Sequence, residues 1–410
     1  MRTITQTILA LVVVLLTLGT SLTESTRHTL TSPAPVTIPL DVTSYGGIFL
    51  QARINNSTPM SFALDSGASF PFVINASKAT ALGLKLQDRV SVGGGAGPNN
   101  YEVSQTSGLT VTLEHKEFTD QRGAVMSLGL VEEQFGRPVD GLVGVDLFLN
   151  NVVEIDYAGK KLRLYDSQSY IYSGTGESVP LTLHDRHFFV PAMIAIPNLG
   201  RRAGQFLVDT GGCMMTVVLT TPFAQRNNLP IASQKTILDR SVAGLGGETR
   251  LLVGRASNFT IGSFVIPSPL IYISQDKGGA LASSEYDGLV GTEILRRFKL
   301  IFDYSRRRLI LEQNPNFEEE FEYDMSGMSL RAYGDDFRTF KVYQALENSP
   351  AAKAGLRAGD IIERIDALPA SQLTLEQIMQ MMKVPDYEYK LTIKRDADTR
   401  VMKIRTRRLI

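Results

Sequence analysis

The sequence predicts a mainly β protein: two similar tandem β-barrel lobes related by pseudo-twofold symmetry, with a smaller α+β module behind them. Three observations predict it. At 410 residues the chain exceeds one compact core, so two or three domains are expected. Glycine is plentiful, at 35 residues, and the apolar runs are short and broken by turn residues, as in β proteins. A set of motifs then recurs in order within the first three quarters of the chain.

Composition narrows the classes of partner. A hydrophobic fraction of 43% and a charged fraction of 20% describe a globular protein rather than a disordered one. Lys plus Arg equals Asp plus Glu at 42 each, which leaves no electrostatic footprint for a nucleic acid partner. Cys213 is the only cysteine, so no intramolecular disulfide can form and stability must come from buried apolar surface. Sequons begin at Asn55, Asn56, Asn75 and Asn258 and matter only in a cell that glycosylates.

The first element is a targeting segment, residues 1–21. Arg2 precedes an apolar run from Ile8 to Leu18, then Gly19, Thr20 and Ser21. The run is shorter than the roughly 20 residues a bilayer requires, and small residues follow it. A cleaved secretory signal is expected, with an uncleaved membrane anchor as the alternative. Export to the periplasm or the medium follows, with membrane contact only if the segment is retained. No cysteine near the cleavage region supplies a lipid anchor.

The repeat comes next. Phe62-Ala63-Leu64-Asp65-Ser66-Gly67 returns as Phe206-Leu207-Val208-Asp209-Thr210-Gly211. Asp140-Gly141-Leu142-Val143-Gly144 returns identically as Asp287-Gly288-Leu289-Val290-Gly291, and Ile155-Asp156-Tyr157 returns as Phe302-Asp303-Tyr304. The offsets are 144, 147 and 147 residues, in the same order. A duplicated lobe explains them, with lobe one over 35–168 and lobe two over 176–314. Within lobe one, Ile48, Leu50, Ala52 and Ile54 alternate with Phe49, Gln51 and Arg53, the period of a strand. Val153 to Tyr157 and Lys161 to Tyr165 flank Ala158-Gly159-Lys160 as a hairpin, echoed in lobe two by Leu300 to Tyr304 and Leu309-Ile310-Leu311. One short helix per lobe is expected, Ala76 to Leu82 stopped by Gly83, and Thr221 to Asn227. An acidic linker, 315–326, carries Glu318, Glu319, Glu320 and Glu322 and reads as a solvated hinge.

A single Asp-Ser/Thr-Gly triplet is weak evidence, but two in matched context are not. An apolar strand ending in this triplet delivers a carboxylate into a tight turn, and the glycine permits close backbone approach. A quasi-twofold partner brings in a second carboxylate. Two carboxylates about 3 Å apart cannot both ionise, so they share a proton. The ionised member, Asp65 or Asp209, can then act as general base on a water while the protonated one hydrogen-bonds a scissile carbonyl. No metal, cofactor or covalent intermediate is required. The hydroxyls of Ser66 and Thr210 would tie the two turns together by bonding backbone across the interface. Asp140, Asp156, Asp287 and Asp303 also repeat, and their strand-end positions suggest turn and hydrogen-bond roles.

These motifs resemble the retropepsin-like and pepsin-like aspartic peptidases. Lobe one resembles the retropepsin pattern through Asp65-Ser66-Gly67-Ala68, then Val73-Ile74, then Ala81-Leu82-Gly83-Leu84. Gly144-Val145-Asp146-Leu147-Phe148 and Gly291-Thr292-Glu293-Ile294-Leu295 are similar to pepsin-type lobe endings. Lobe two departs from the pattern at Gly212, where the family usually carries Ala, Ser or Thr. The resemblance covers about 36–313 and implies an extended peptide held in a cleft, with a β-hairpin flap above it. Two glycine clusters fit a mobile flap tip or equally an ordinary loop: Gly93, Gly94 and Gly95, and Gly244, Gly246 and Gly247.

Other chemistries fit less well. His184-Asp185-Arg186-His187 lacks the His-Glu-x-x-His helix of a zinc peptidase, so accessory or surface histidines are expected. The Gly-x-Ser-x-Gly elbow of serine hydrolases does not occur. Cys213 reads as a buried small residue.

The last element, 327–410, resembles the PDZ domains of exported bacterial peptidases through Ser349-Pro350-Ala351-Ala352-Lys353-Ala354-Gly355-Leu356-Arg357-Ala358-Gly359-Asp360-Ile361-Ile362 and Ile365-Asp366-Ala367. A capped short helix, a glycine stop and a strand are expected there. A second helix is expected over Thr374 to Lys383, with Leu375, Ile378 and Met382 on one face, then strands at Tyr389 to Arg395 and Val401 to Thr406. Such domains bind a peptide by strand addition and hold its terminal carboxylate on backbone amides. The matching stretch reads as Phe337, Arg338, Thr339 and Phe340, with Val342 beyond, and lacks the usual glycine. Terminal capture, internal β-segment recognition and docking on the peptidase all remain open. The chain is thus expected to be a monomeric exported aspartic endopeptidase acting on polypeptides, with the PDZ domain positioning substrate or binding a peptide ligand. The alternative is a noncatalytic peptide-binding scaffold.

Overall fold

The computed structural model describes residues 34–93, 97, 100–230, 235–239, 243–244 and 247–410. The expected targeting segment, 1–21, lies outside the described residues, as do Gly94, Gly95 and Gly246. The architecture is mainly β, as the sequence predicts, and its sheets follow the duplication.

In lobe one, β1 (Met60–Leu64) leads into the Asp65 turn and β2 (Phe72–Asn75) leaves it. Helix α1 (Ala76–Ala81) follows, then the hairpin strand Arg89–Gly93, the long strand Asn100–Leu113 and β3 (Lys116–Met126). Helix α2 (Gly129–Phe135) precedes the short β4 (Gly141–Val143). β4 lies between β1, in parallel, and β2, antiparallel, while β3 runs parallel to β2 on its far side.

Lobe two repeats this wiring. Its β5 (Gly200–Val208), β6 (Val217–Leu219), β7 (Leu270–Ser274) and β8 (Gly288–Val290) stand as β1, β2, β3 and β4 do, with α3 (Thr221–Arg226) in the place of α1. The close packing of β4 and β8 explains the identical pentapeptides. A Cβ on Gly141 would come 2.4 Å from the Val73 carbonyl oxygen, and one on Gly288 would come 2.3 Å from that of Val218. Asp140 accepts from Ser61 N and Asp287 from Gln205 N, each at 2.7 Å, so both carboxylates hold strand ends rather than reach a site. Each lobe holds more helix than expected: α2, Asp146–Asn150 and Thr292–Leu295 add to the two foreseen.

A six-stranded sheet joins the lobes where Val152–Asp156 pairs antiparallel with Phe298–Asp303. Beneath it, one continuous apolar cluster runs through both lobes, from Ile38 and Phe62 to Phe206 and Phe302.

The C-terminal module has its own core, including Phe340, Ile362, Ile378 and Leu391. Its sheet runs β9 (Met328–Tyr333), β10 (Thr339–Ala345), β11 (Ile361–Ile365), β12 (Glu388–Arg395) and β13 (Asp398–Arg405), in that spatial order. Helix α4 (Leu375–Met381) starts at a capping box of Thr374 and Gln377 and buries Leu375 and Ile378. Ser349 caps the short helix Pro350–Lys353, and Gly355 ends it at φ +85.

Two expectations change here. The acidic linker is anchored rather than a solvated hinge: Phe321 is buried under the Arg297 guanidinium, and Tyr323 donates to Asp239 at 2.8 Å. Phe337, Arg338, Thr339, Phe340 and Val342 do not offer a strand for a peptide. They lie in and before β10, which is hydrogen-bonded to β9 on one side and β11 on the other. Phe340 and Val342 are core, and Arg338 is spent on the Leu373 carbonyl. The end strand beside α4 is β9.

Candidate active site

The pseudo-twofold axis brings Asp65 and Asp209 together, with Oδ1 of each beside Gly67. Each turn is built identically. Gly67 N donates to Asp65 Oδ1 at 2.8 Å, and Gly211 N donates to Asp209 Oδ1 at 2.9 Å. The glycines are required by the opposite lobe: a Cβ on Gly211 would sit 2.4 Å from Asp65 Cγ, and one on Gly67 would sit 2.9 Å from Asp209 Oδ1.

The two hydroxyls cross the interface. Ser66 Oγ donates to the Val208 carbonyl at 2.7 Å and accepts from Thr210 N at 3.0 Å. Thr210 Oγ1 donates to the Leu64 carbonyl at 3.1 Å and accepts from Ser66 N at 2.9 Å. Both residues are fully buried, so all four groups depend on this reciprocal arrangement. It ties the two turns to one another through two short, buried hydroxyls, each bonded to the backbone of the opposite lobe.

Electrostatics favour a retained proton. Burial pushes the Asp65 carboxyl above the usual range, against hydrogen bonds from Gly67 and Ala68 N–H and the charge of His187. Burial and then the Asp65 charge push Asp209 up as well. Burial and mutual charge therefore both oppose ionising the two adjacent carboxyls together.

The pair forms the floor of a cavity of about 630 Å³ whose walls are largely apolar, including Phe70, Phe135, Phe189, Leu281 and Leu289. The lobe-one hairpin covers it. Val92, Gly93 and Tyr101 line the cavity, and Gly97 N reaches Asp276 in lobe two at 3.3 Å. Burial, then the charge of Asp65, pushes the Tyr101 phenol up to about 12, so it remains a hydrogen-bond donor. The second glycine cluster behaves differently: Gly244 pairs with Gly247 in a small hairpin, and neither residue lines the cavity among the described residues. The neighbouring Glu248 instead accepts from Tyr343 of the C-terminal module.

Sequence reasoning missed His187 as a neighbour of the pair. Asp185 and Arg186 both have positive φ, forming a two-residue hairpin loop that pairs His184 with His187. The loop turns His187 inward, where its Nε2–H donates to the Gly67 carbonyl at 3.1 Å, and Arg186 Nε donates to Ser69 O at 2.9 Å. Lobe two thereby clamps the lobe-one turn. His184, Asp185 and Glu285 bring ligand atoms within 4.8 Å of one another, but all three are exposed. Burial and the neighbouring carboxylates push the buried Cys213 thiol up, which suits packing rather than nucleophilic attack.

Two stretches of the chain match known family models. Residues 50–147, which include Asp65 and the Asp140–Gly144 motif, match the aspartyl protease family model, and residues 341–395 match a PDZ domain model. An aspartyl protease domain and a PDZ domain are therefore both present. Over 135 residues, 33% of this chain, there is 23% identity to a probable CtpA-like serine protease of Staphylococcus haemolyticus. The match spans 25% of that protein's length. Among solved structures, an aspartic proteinase from Irpex lacteus aligns at TM-score 0.44 and 17% identity, covering 70% of this chain and 99% of that one.

Proposed function

We propose that this protein is an exported aspartic endopeptidase that hydrolyses peptide bonds with the Asp65–Asp209 pair. The observation that supports this reading most strongly is the juxtaposition of two carboxyls, held by symmetric turns, in one apolar cavity.

The chemistry follows from one proton on two carboxyls. The ionised carboxylate takes a proton from a water as its oxygen attacks the carbonyl carbon. The protonated carboxyl hydrogen-bonds the carbonyl oxygen and stabilises the charge that develops there. The tetrahedral species then collapses as a proton passes to the amide nitrogen and the C–N bond breaks. Ser66 and Thr210 act as positioning residues, and the hairpin with Tyr101 excludes water from the cavity. The apolar walls suit side chains of an extended polypeptide, and the PDZ domain positions that substrate.

Among the described residues no helix is long and apolar enough to cross a membrane. Export rests on the N-terminal segment, cleaved or retained as an anchor, and the mature chain acts as a monomer.

Replacing Asp65 or Asp209 by Asn tests the reading. Each variant should hydrolyse casein at acidic pH at least about 10²-fold more slowly than wild type, the lower bound for general acid–base loss. Equal rates in both variants and wild type would remove the pair as catalyst. Peptide binding by the PDZ domain with no cleavage at any pH would favour the scaffold alternative.

A further inference from the structure

The groove of the PDZ domain lies between the end strand β9 and helix α4. Part of it opens into a cavity of about 920 Å³ facing the lobes, walled by Met328 and Leu330 of β9 and by Ile378, Met379 and Met382. Another part is covered from within the chain. Helix α2 of lobe one packs against β9. Gly136, its left-handed cap at φ +63, stands where a Cβ would come 2.7 Å from Leu375 Cβ and 3.3 Å from Ala332 Cβ. The Tyr333 hydroxyl donates to Glu133 of α2. On α4, Glu376 accepts from Ser44 N, and Gln380 Nε2 donates to Ser44 Oγ at 2.8 Å.

The amide end of the groove is also taken. The loop before β9 is tied to the last turn beyond α4, Met325 N donating to the Met382 carbonyl at 2.9 Å. Its Gly327 N–H donates to the Asp324 carboxylate, and Met328 N–H, at the start of β9, is shared between Ser326 Oγ at 3.0 Å and Asp324 at 3.3 Å. A carboxylate from within the chain thus holds amides that a peptide terminus would need.

Helix α2 has a second face. Val131, Gln134 and Phe135 line the cavity above Asp65 and Asp209, and Gln134, Cys213 and Met215 line both cavities. One seven-residue helix is therefore a wall of the candidate substrate cleft and the plug of the PDZ groove at once.

We propose that α2 is the intramolecular occupant of the PDZ groove, and that an extended, apolar internal segment of polypeptide adds along β9 by displacing it, shifting a wall of the dyad cavity. The consequence for cleavage rests on the peptidase reading; the competition for the groove does not. Because only the fraction of molecules with α2 withdrawn is open to such a segment, apparent affinity is lowered by that fraction.

The test titrates casein against full-length Asp65→Asn, which removes cleavage from the outcome, and reads amide exchange at Met328–Tyr333 and Gly129–Phe135. Casein should protect β9 and expose α2. Two changes that weaken docking should lower the casein midpoint at least about 10-fold: Gly136→Ala, which drives a methyl into Leu375, and Glu376→Ala with Gln380→Ala, which removes the α4 side chains bonded to Ser44. The second keeps the test decisive if the first misfolds. The proposal is overturned by an unprotected β9 in all three chains, by β9 protection with α2 exchange unchanged, or by equal midpoints. Loss of casein cleavage in active chains would bear on the peptidase reading alone.

Discussion

The two lobes share one continuous core and a six-stranded sheet, whereas the PDZ domain closes a core of its own and meets the lobes at its surface. The difference teaches where rigidity is needed. Asp65 and Asp209 come from opposite lobes, so their spacing is only as fixed as the interface between those lobes, and that interface is backbone, buried hydroxyls and aromatic core. The PDZ domain is held by bonds from Ser44 to α4, by Tyr343 to Glu248 and by the seat of Gly136. Such contacts can be exchanged for others without unfolding either partner.

The largest effect should come from breaking the interface at its centre. Replacing Ser66 by Ala together with Thr210 by Val strands buried amides and carbonyls on both sides. Casein cleavage should fall about 10²-fold through lost positioning, with about 1–3 kcal/mol of stability lost for each unsatisfied group. Steady-state rates and a denaturant melt check both, and unchanged rates would mean the hydroxyls do not set the pair. Next come Gly141→Ala and Gly288→Ala, which push a methyl into a backbone carbonyl at matching places in the two lobes. Each should cost about 1–3 kcal/mol in one shared unfolding transition. A loss confined to one lobe would argue against the common core.

The smallest effect on cleavage should come from the PDZ core. Burial acts to raise the Asp360 carboxyl, but hydrogen bonds from Arg395 and from Arg357 N outweigh it and hold the group below the usual carboxylate range. A lowered carboxyl stabilises above its unfolded value and loses that contribution as pH falls through the folded value. Arg395→Met should therefore loosen residues 327–410, seen by amide exchange, and weaken their dependence on acid. Cleavage of a short peptide should stay within about twofold, because the cores are separate.

Much of this was legible in the sequence because duplication marks what must be repeated. The Asp-Ser/Thr-Gly turns, the cross-lobe role of Ser66 and Thr210, and the structural roles of Asp140 and Asp287 each follow from a local requirement stated twice. What was not legible depends on contacts between distant segments. His187 reaches Gly67 only because a tight turn at Asp185-Arg186 reverses the chain. Helix α2 is too short to announce itself, and its partners lie about two hundred residues onward in the chain. The sequence pattern points to Phe337–Phe340 for the groove, yet these residues lead into β10, a paired inner strand. The glycine of its amide loop is Gly327, bonded to Asp324 in the stretch read as linker.

The retained proton is best tested by stability against pH. A carboxyl whose folded value is raised stabilises the protein below its unfolded value, near pH 4, and that contribution is lost as pH rises toward the folded value. The unfolding free energy of wild type, minus that of Asp65→Asn/Asp209→Asn, should decline from about pH 5 into the neutral range. The slope should approach about 1.4 kcal/mol per pH unit for one proton. A difference that stays level over that span would mean that no hydrogen is held between the two side chains.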